Sequence, residues 1–280
     1  MTIKTDLHTH LTDTGGRFSW KSGKQFGYSE EAIVQGTLNK CFSQDTDTLI
    51  AVVDFYDDRA NAFFNTILKS SEKDYSVKER NGILEVSQDK KKHYFIQGQE
   101  ISTDKGHLLL IGSQNRIKSR KLDKILAEIS DENPFIIADH PLAELKYIGK
   151  ILSKIAGTNS RFGLREDEIG DYRNAVDALE LNPHFPGEYE KIISISNAFG
   201  IPLVANSDSH TLDGVFSNYN LFDNLSFESL EELKSSIREE IKSKNYLPVC
   251  SGINSIESLR HGLGVGTTHL LNKLGLIGRK

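Results

Sequence analysis

Short apolar runs alternate with longer amphipathic stretches along most of the chain. The runs at residues 4–7, 49–54, 94–101, 107–112, 135–138, 178–181 and 202–205 are mostly rich in Val, Ile and Leu and short enough to be buried strands. Helical patterns fill most of the gaps. Ser29 stands where it caps a helix through Phe42, with Glu30 and Glu31 in the first turn. Residues 58–70 follow the second run, 121–129 precede the fifth and 142–156 follow it. Residues 187–199 end at Gly200-Ile201-Pro202, a common helix stop, and 227–244 read as a late amphipathic helix capped by Ser226. Only residues 102–106 separate the third and fourth runs. That is too short for a helix, so those two runs form a hairpin or one bent strand.

Strands alternating with helices predict an α/β fold with mainly parallel pairing. The number of runs suits a closed or nearly closed barrel, with an open doubly wound sheet as the alternative. A chain of 280 residues is ordinary for one α/β barrel. Two stretches read as insertions or long loops. Residues 69–92 are strongly charged, with Lys90, Lys91 and Lys92 consecutive, and residues 158–174 are polar and carry Arg161, Arg165 and Arg173. The lysine run reads as solvated surface.

Composition adds boundaries. The hydrophobic fraction of 38% supports a sizeable core and the charged fraction of 26% an ordinary soluble surface. A net charge of −5 gives no general attraction to nucleic acid or anionic membranes. No run reaches the length of a membrane-spanning helix, and the first ten residues lack the apolar stretch of a signal peptide. The two cysteines, Cys41 and Cys250, lie far apart. A cytoplasmic protein without disulfides is the expectation, in which imidazole and carboxylate would hold any transition metal.

The chemistry sits at the strand ends. The first run closes in Asp6-Leu7-His8-Thr9-His10, and the second in Asp54, with Asp57 and Asp58 next. The third reaches Glu100, the fourth begins at His107 and the fifth runs into Asp139-His140-Pro141. The sixth carries Glu180 and Asn182, and the seventh leads to Asn206-Ser207-Asp208-Ser209-His210. Parallel strands converge at their carboxyl ends, where α/β enzymes build their sites. So many carboxylates in one place need cations to hold them together. In His8-x-His10 both imidazoles face the same side of an extended strand, and Asp208-x-His210 repeats the device.

These residues resemble the PHP-domain superfamily, the polymerase and histidinol phosphatase type. The matching pieces are Asp6–His10, Gly98–Ser102 with Gly106–Gly112, Ala138–Leu142, Ala178–Asn182 and Asn206–His210, in family order over about residues 4–212. The resemblance implies a distorted (β/α)7 barrel with its metal site at the C-terminal ends of the strands. It implies one ion on His8, His10, Glu100 and Asp208, with Glu100 bridging to a second ion on His107 and His140. His210 belongs to a third position. The chain departs from the family there. Phe55 follows Asp54 where the family usually has histidine, and Gly15 and Gly16 stand where it tends to have Asp or His, with Asp13 the nearest carboxylate. Two firm ions and a weak or absent third are expected, unless Asp13, Asp54 or Asp57 compensates, with Zn, Mn or Fe all suited to such ligands.

The implied activity is hydrolysis of a phosphate ester, on a small phosphomonoester or short nucleotide, by metal-activated hydroxide. Glu100, Asp208 and His210 are the expected catalytic groups, His210 as candidate general acid. Arg17, Lys24, Arg165 and His184 are candidates for substrate binding. The alternatives are a nuclease acting on nucleic-acid ends, with the lysine run and residues 116–124 guiding a strand, a C–N hydrolase, and a non-catalytic module with a decayed site. Residues 1–215 are expected to form the barrel and residues 216–280 a helical segment packing on it. Within the latter, Gly262, Gly264 and Gly266 lie between His261 and His269, but no strand precedes them as a phosphate cradle requires.

Overall fold

The structure, a computed structural model, describes residues 2–11, 29–54, 59–70, 75–113, 115, 117–144 and 161–251. In chain order its elements are β1 (Ile3–Thr9), α1 (Glu30–Phe42), β2 (Asp47–Asp54), α2 (Arg59–Lys69), β3 (Ser76–Arg80), β4 (Ile83–Gln88), β5 (Lys91–Ser102) and β6 (His107–Ile111). There follow α3 (Leu122–Glu128), β7 (Phe135–Ala138), α4 (Glu166–Asp171), β8 (Ala178–Leu181), α5 (Tyr189–Phe199), β9 (Leu203–Ala205), β10 (Asn218–Phe222), α6 (Leu230–Lys242) and β11 (Tyr246–Cys250).

All the runs expected to be strands are strands of one sheet, ordered β11-β10-β1-β2-β5-β6-β7-β8-β9, with β4 also on β5 and β3 on β4. Pairing is parallel for β1 with β2, β2 with β5, β7 with β8 and β8 with β9, while β6 runs antiparallel to both its neighbours. Residues 102–106 therefore make a hairpin, Thr103 N–H donating to the Gly106 carbonyl at 2.8 Å. The sheet curls until its ends nearly meet. Thr9 bridges Ser209 in parallel, and the Asn220 side chain on β10 exchanges hydrogen bonds of 2.9 and 2.8 Å with the backbone of Ala205 on β9. The result is a mixed α/β fold around a nearly closed barrel.

Period-two alternation sorts the core. On β2, Leu49, Ala51 and Val53 join Ile96, Leu109, Ile111, Ile137 and Val204 in the interior cluster. Ile50 and Val52 face outward onto Ile33 and Leu38 of α1 and Phe63 and Ile67 of α2. Across the barrel, Leu108, Leu110, Leu179 and Leu181 pack under α3, α4 and α5. Leu230, Leu233, Ile237 and Ile241 form the buried stripe of α6 and join the interior cluster. That helix closes the end of the barrel away from His8, where Arg238 also pairs with Asp177 at 2.9 Å.

Several local expectations are corrected. Residues 76–88 hold no loop but the β3–β4 hairpin. Asn81 and Gly82 both take positive φ, 46° and 86°, the turn that matches the twist of paired strands. The lysine run opens β5 and the turn before it, and Lys92 lies 3.5 Å from the buried Glu85. Residues 166–171 of the polar stretch form α4. The last helix starts at Leu230, capped by Ser229 rather than Ser226, because the Ser229 hydroxyl accepts from Glu232 N–H at 3.2 Å. Beyond residue 215, expected to be helical, the chain also adds β10 and β11 to the sheet. Of the expected helix at 142–156, residues 145–156 lie outside the described residues, as does the glycine-rich segment.

At the foot of the barrel His93 is fully buried, its Nδ1 2.9 Å from Thr48 Oγ1 and its ring 5.2 Å from Phe42. Burial, aided by Lys91, pushes its pKa down to about 4. The folded value lies below the unfolded one of about 6.5. His93 therefore leaves stability intact above about pH 6.5 and withdraws it as pH falls towards 4. Denaturant unfolding of the wild type should show this loss across that window. In a His93→Phe variant the loss should shrink. An unchanged difference between the two proteins at pH 7 and pH 5 would refute it.

Candidate metal centre

At the other end of the barrel, side chains from β1, β5, β6 and the segments after β7, β8 and β9 meet. His8 on β1 and His10 just past it present their Nε2 atoms 3.0 Å apart. His8 Nε2 lies 3.8 Å from Glu100 and 3.4 Å from Asp208, and His10 Nε2 lies 3.1 and 3.5 Å from the same two carboxylates. Because β6 returns antiparallel, His107 opposes Ser102, and its Nδ1 is ion-paired with Glu100 Oε1. His140 Nε2 lies 3.8 Å from the same oxygen. His210 Nε2 lies 3.5 Å from Asp208, and its ring stacks on His10 at 4.3 Å.

The backbone bends to make this possible. His140 and Asp208 adopt positive φ, 26° and 47°, in the left-handed region that costs a non-glycine residue on the order of 1–3 kcal/mol. In a regular strand Asp139 and His140 would face opposite sides. The turn at His140 brings both to the cluster.

Fully buried carboxylates and amides hold the ligands from behind. Glu180 Oε1 lies 2.9 Å from His8 Nδ1 and accepts from Asn206 Nδ2 at 3.0 Å. Its Oε2 accepts from Asn182 Nδ2 at 2.9 Å and His140 N–H at 3.1 Å. Asn182 also donates to Asp208 at 3.0 Å. Glu180 thus fixes His8 with Nε2 towards the cluster. Asp6, fully buried, accepts N–H bonds from Ser207 and Phe216, and burial raises its carboxyl to about 6.

The buried charges of the cluster act strongly on one another. Burial opposes the charge on His8, yet Glu180, Asp139 and Asp208 outweigh it and hold its pKa well above the imidazole range. Burial likewise opposes ionisation of Glu100, but His107, His10 and His8 hold its carboxyl well below normal. Burial drives Asp139 well up and, with His107, drives His140 down to about 4.

Four overlapping groups place one donor atom of each residue within 4.8 Å of the others: His8, His10 and Glu100; Glu100, His107, Asp139 and His140; His10, Asp208 and His210; and His8, Asp139 and Glu180. Imidazoles and carboxylates buried together suit divalent transition ions, and among the described residues neither oxygen of the fully buried Asp139 meets a well-aligned hydrogen-bond donor. The residues present fit metal ions.

The structure brings together His8, His10, Glu100, His107, His140, Asp208 and His210. His184 is half-buried at the rim, its Nε2 3.2 Å from the Asp208 carbonyl. Arg165 is exposed at the N-cap of α4, its N–H committed to Glu168 at 2.9 Å. Asp13, Arg17, Lys24, Phe55 and Asp57 lie outside the described residues. Sequence reading noticed Asp139 and Glu180 as strand-end carboxylates but left them out of the ligand set. It missed Phe162 and Phe185, half-buried with rings 6.1 and 5.6 Å from His140.

Residues 186–240 match a family model described as PHP-associated. No curated protein matches the chain. Two solved structures are similar in fold. PsfC from Pseudomonas syringae PB-5123 has a TM-score of 0.54 at 12% identity, covering 99% of this chain and 98% of that one. The lesion-specific endonuclease PfuEndoQ from Pyrococcus furiosus has a TM-score of 0.53 at 16% identity, covering 87% of this chain. This chain spans 56% of that endonuclease's length. The family match is thus confined to residues 186–240, and the likeness to the two solved structures is one of fold.

Proposed function

We propose that the chain is a metal-dependent phosphoesterase acting on a small phosphomonoester or nucleotide. One observation carries this reading: Glu100, His8 and His10 are each shared between overlapping donor groups inside a single buried cluster. His8, His10, Glu100 and Asp208 would hold one ion, Glu100, His107 and His140 a second, and His210 with His10 and Asp208 a third. Zn, Mn or Fe would supply Lewis-acid charge for phosphoryl oxygens and a water acidic enough to react near neutral pH. Glu180 keeps the His8 ring oriented, and the buried walls limit access of bulk water. With the third position empty, His210, its Nε2 3.5 Å from Asp208, would instead be placed to give a proton to the leaving oxygen.

Phe162 and Phe185 offer half-exposed rings beside His140, a surface on which a nucleobase stacks. They favour a nucleotide over an aliphatic phosphate. The structural similarity to a lesion-specific endonuclease supports the second reading, cleavage at nucleic-acid ends. Salt dependence separates the two. KM for a mononucleotide should change little between 50 and 200 mM salt, whereas a nucleic-acid substrate weakens steeply, by roughly a tenfold or more for each few phosphate contacts.

Chelation is expected to lower the melting temperature, and Mn²⁺, Zn²⁺ or Fe²⁺ to restore it together with hydrolysis of phosphate esters. A chelated protein that melts unchanged, gains nothing from any of these ions and turns over no ester would overturn the proposal. Among the described residues no helix is long and apolar enough to cross a membrane.

A further inference from the structure

We propose that Asp139 is a fourth protein ligand, completing the coordination of the ion held by Glu100, His107 and His140. Asp139 Oδ2 lies 3.1 Å from His140 Nε2 and 3.9 Å from His107 Nδ1. Glu100 Oε1 lies against the same two nitrogens. Four donors on four residues thus surround one point, two imidazole nitrogens and two carboxylate oxygens, all within 4.8 Å of each other.

Separations of 3.1, 3.8 and 3.9 Å lie around the roughly 3.3 Å edge of a tetrahedron whose ligands stand about 2 Å from an ion. Asp139 is fully buried, and among the described residues neither of its oxygens meets a well-aligned hydrogen-bond donor. Its Oδ1 lies 3.4 Å from His8 Nδ1 and beside Glu180, a crowding of acids that a cation relieves. The left-handed turn at His140 is the local distortion that lets two consecutive residues reach the cluster.

With Asp139 that ion would have four protein ligands, the set that closes a tetrahedral site to further ligands and makes it structural in character.

This rests on the metal-centre reading above, and the test keeps the two apart. Co²⁺ is titrated into chelated protein by equilibrium dialysis, with the visible spectrum recorded, for wild type and Asp139→Asn. The wild type should bind at least two ions, one with the intense bands of four-coordinate cobalt. The variant should lose those bands and bind one ion at least about tenfold more weakly. A wild type that binds no ion defeats the metal centre as a whole. A variant that keeps both ions, with affinities and spectrum unchanged, defeats only the role of Asp139, which would then merely position His8. Should the variant fail to fold, X-ray absorption of the singly loaded wild type decides. Four nitrogen and oxygen neighbours support the inference, and five or six overturn it.

Discussion

Replacing Glu100 with glutamine is expected to lower phosphate-ester turnover on the order of a thousandfold. Its carboxylate joins the two halves of the cluster, reaching His8 at 3.8 Å, His10 at 3.1 Å, His140 at 3.8 Å and also His107. An amide keeps the shape but loses the charge, and one of its two ends becomes a donor facing imidazole nitrogens. At least one ion should be lost, because the bridging position disappears. Turnover and metal content by mass spectrometry check this together. Full turnover with both ions bound would mean that Glu100 is not the bridge.

A change without any chemistry of its own should be nearly as damaging. Residues 161–164 are wedged between the two segments that carry His107 and His140. Phe162 accepts from His107 N–H at 2.6 Å, while Leu164 accepts from Leu142 N–H and Ala143 from Gly163 N–H, both at 3.0 Å. At Gly163 a Cβ would meet the His140 carbonyl and lie 2.6 Å from the backbone nitrogens of Leu142 and Ala143. Gly106 presses on the same residue from the other side, its own Cβ position 2.6 Å from Gly163 C and Leu164 N. Backbone cannot swing aside as a side chain does. Gly163→Ala should cost about 1–3 kcal/mol or more in urea unfolding and weaken the ion at His140. An unchanged midpoint with unchanged metal affinity would show that the wedge has slack.

The residues of the cluster were legible because His, Asp and Glu stand at strand ends, and each end was marked by an apolar run. His107 needed one further step, the recognition that residues 102–106 turn the chain back. The β3–β4 hairpin carried a readable signal in Asn81-Gly82, overshadowed by the density of charge around it. Strand β10 was harder to find. Asn218-Tyr219-Asn220 has little apolar character, since its asparagines are spent on tying Leu181 and Ala205 across the seam of the barrel. Asp139 escaped for a different reason. Alternation along an extended strand turns it away from His140, and only the positive φ at His140 reverses that. Backbone excursions of this kind leave no mark in residue type.

The return of β6 alongside β5 has a consequence for how the molecule comes into being. Glu100, His107, Asp139 and His140 lie in one hairpin and the strand that joins it, so they can gather while the chain is still emerging. His8 must wait for Asp208, and joining them closes a loop that encompasses almost the entire barrel. A cation captured early at the local half would staple that hairpin before the last strands exist. Nascent protein deprived of metal would then falter in mid-synthesis, well before any catalytic defect became visible.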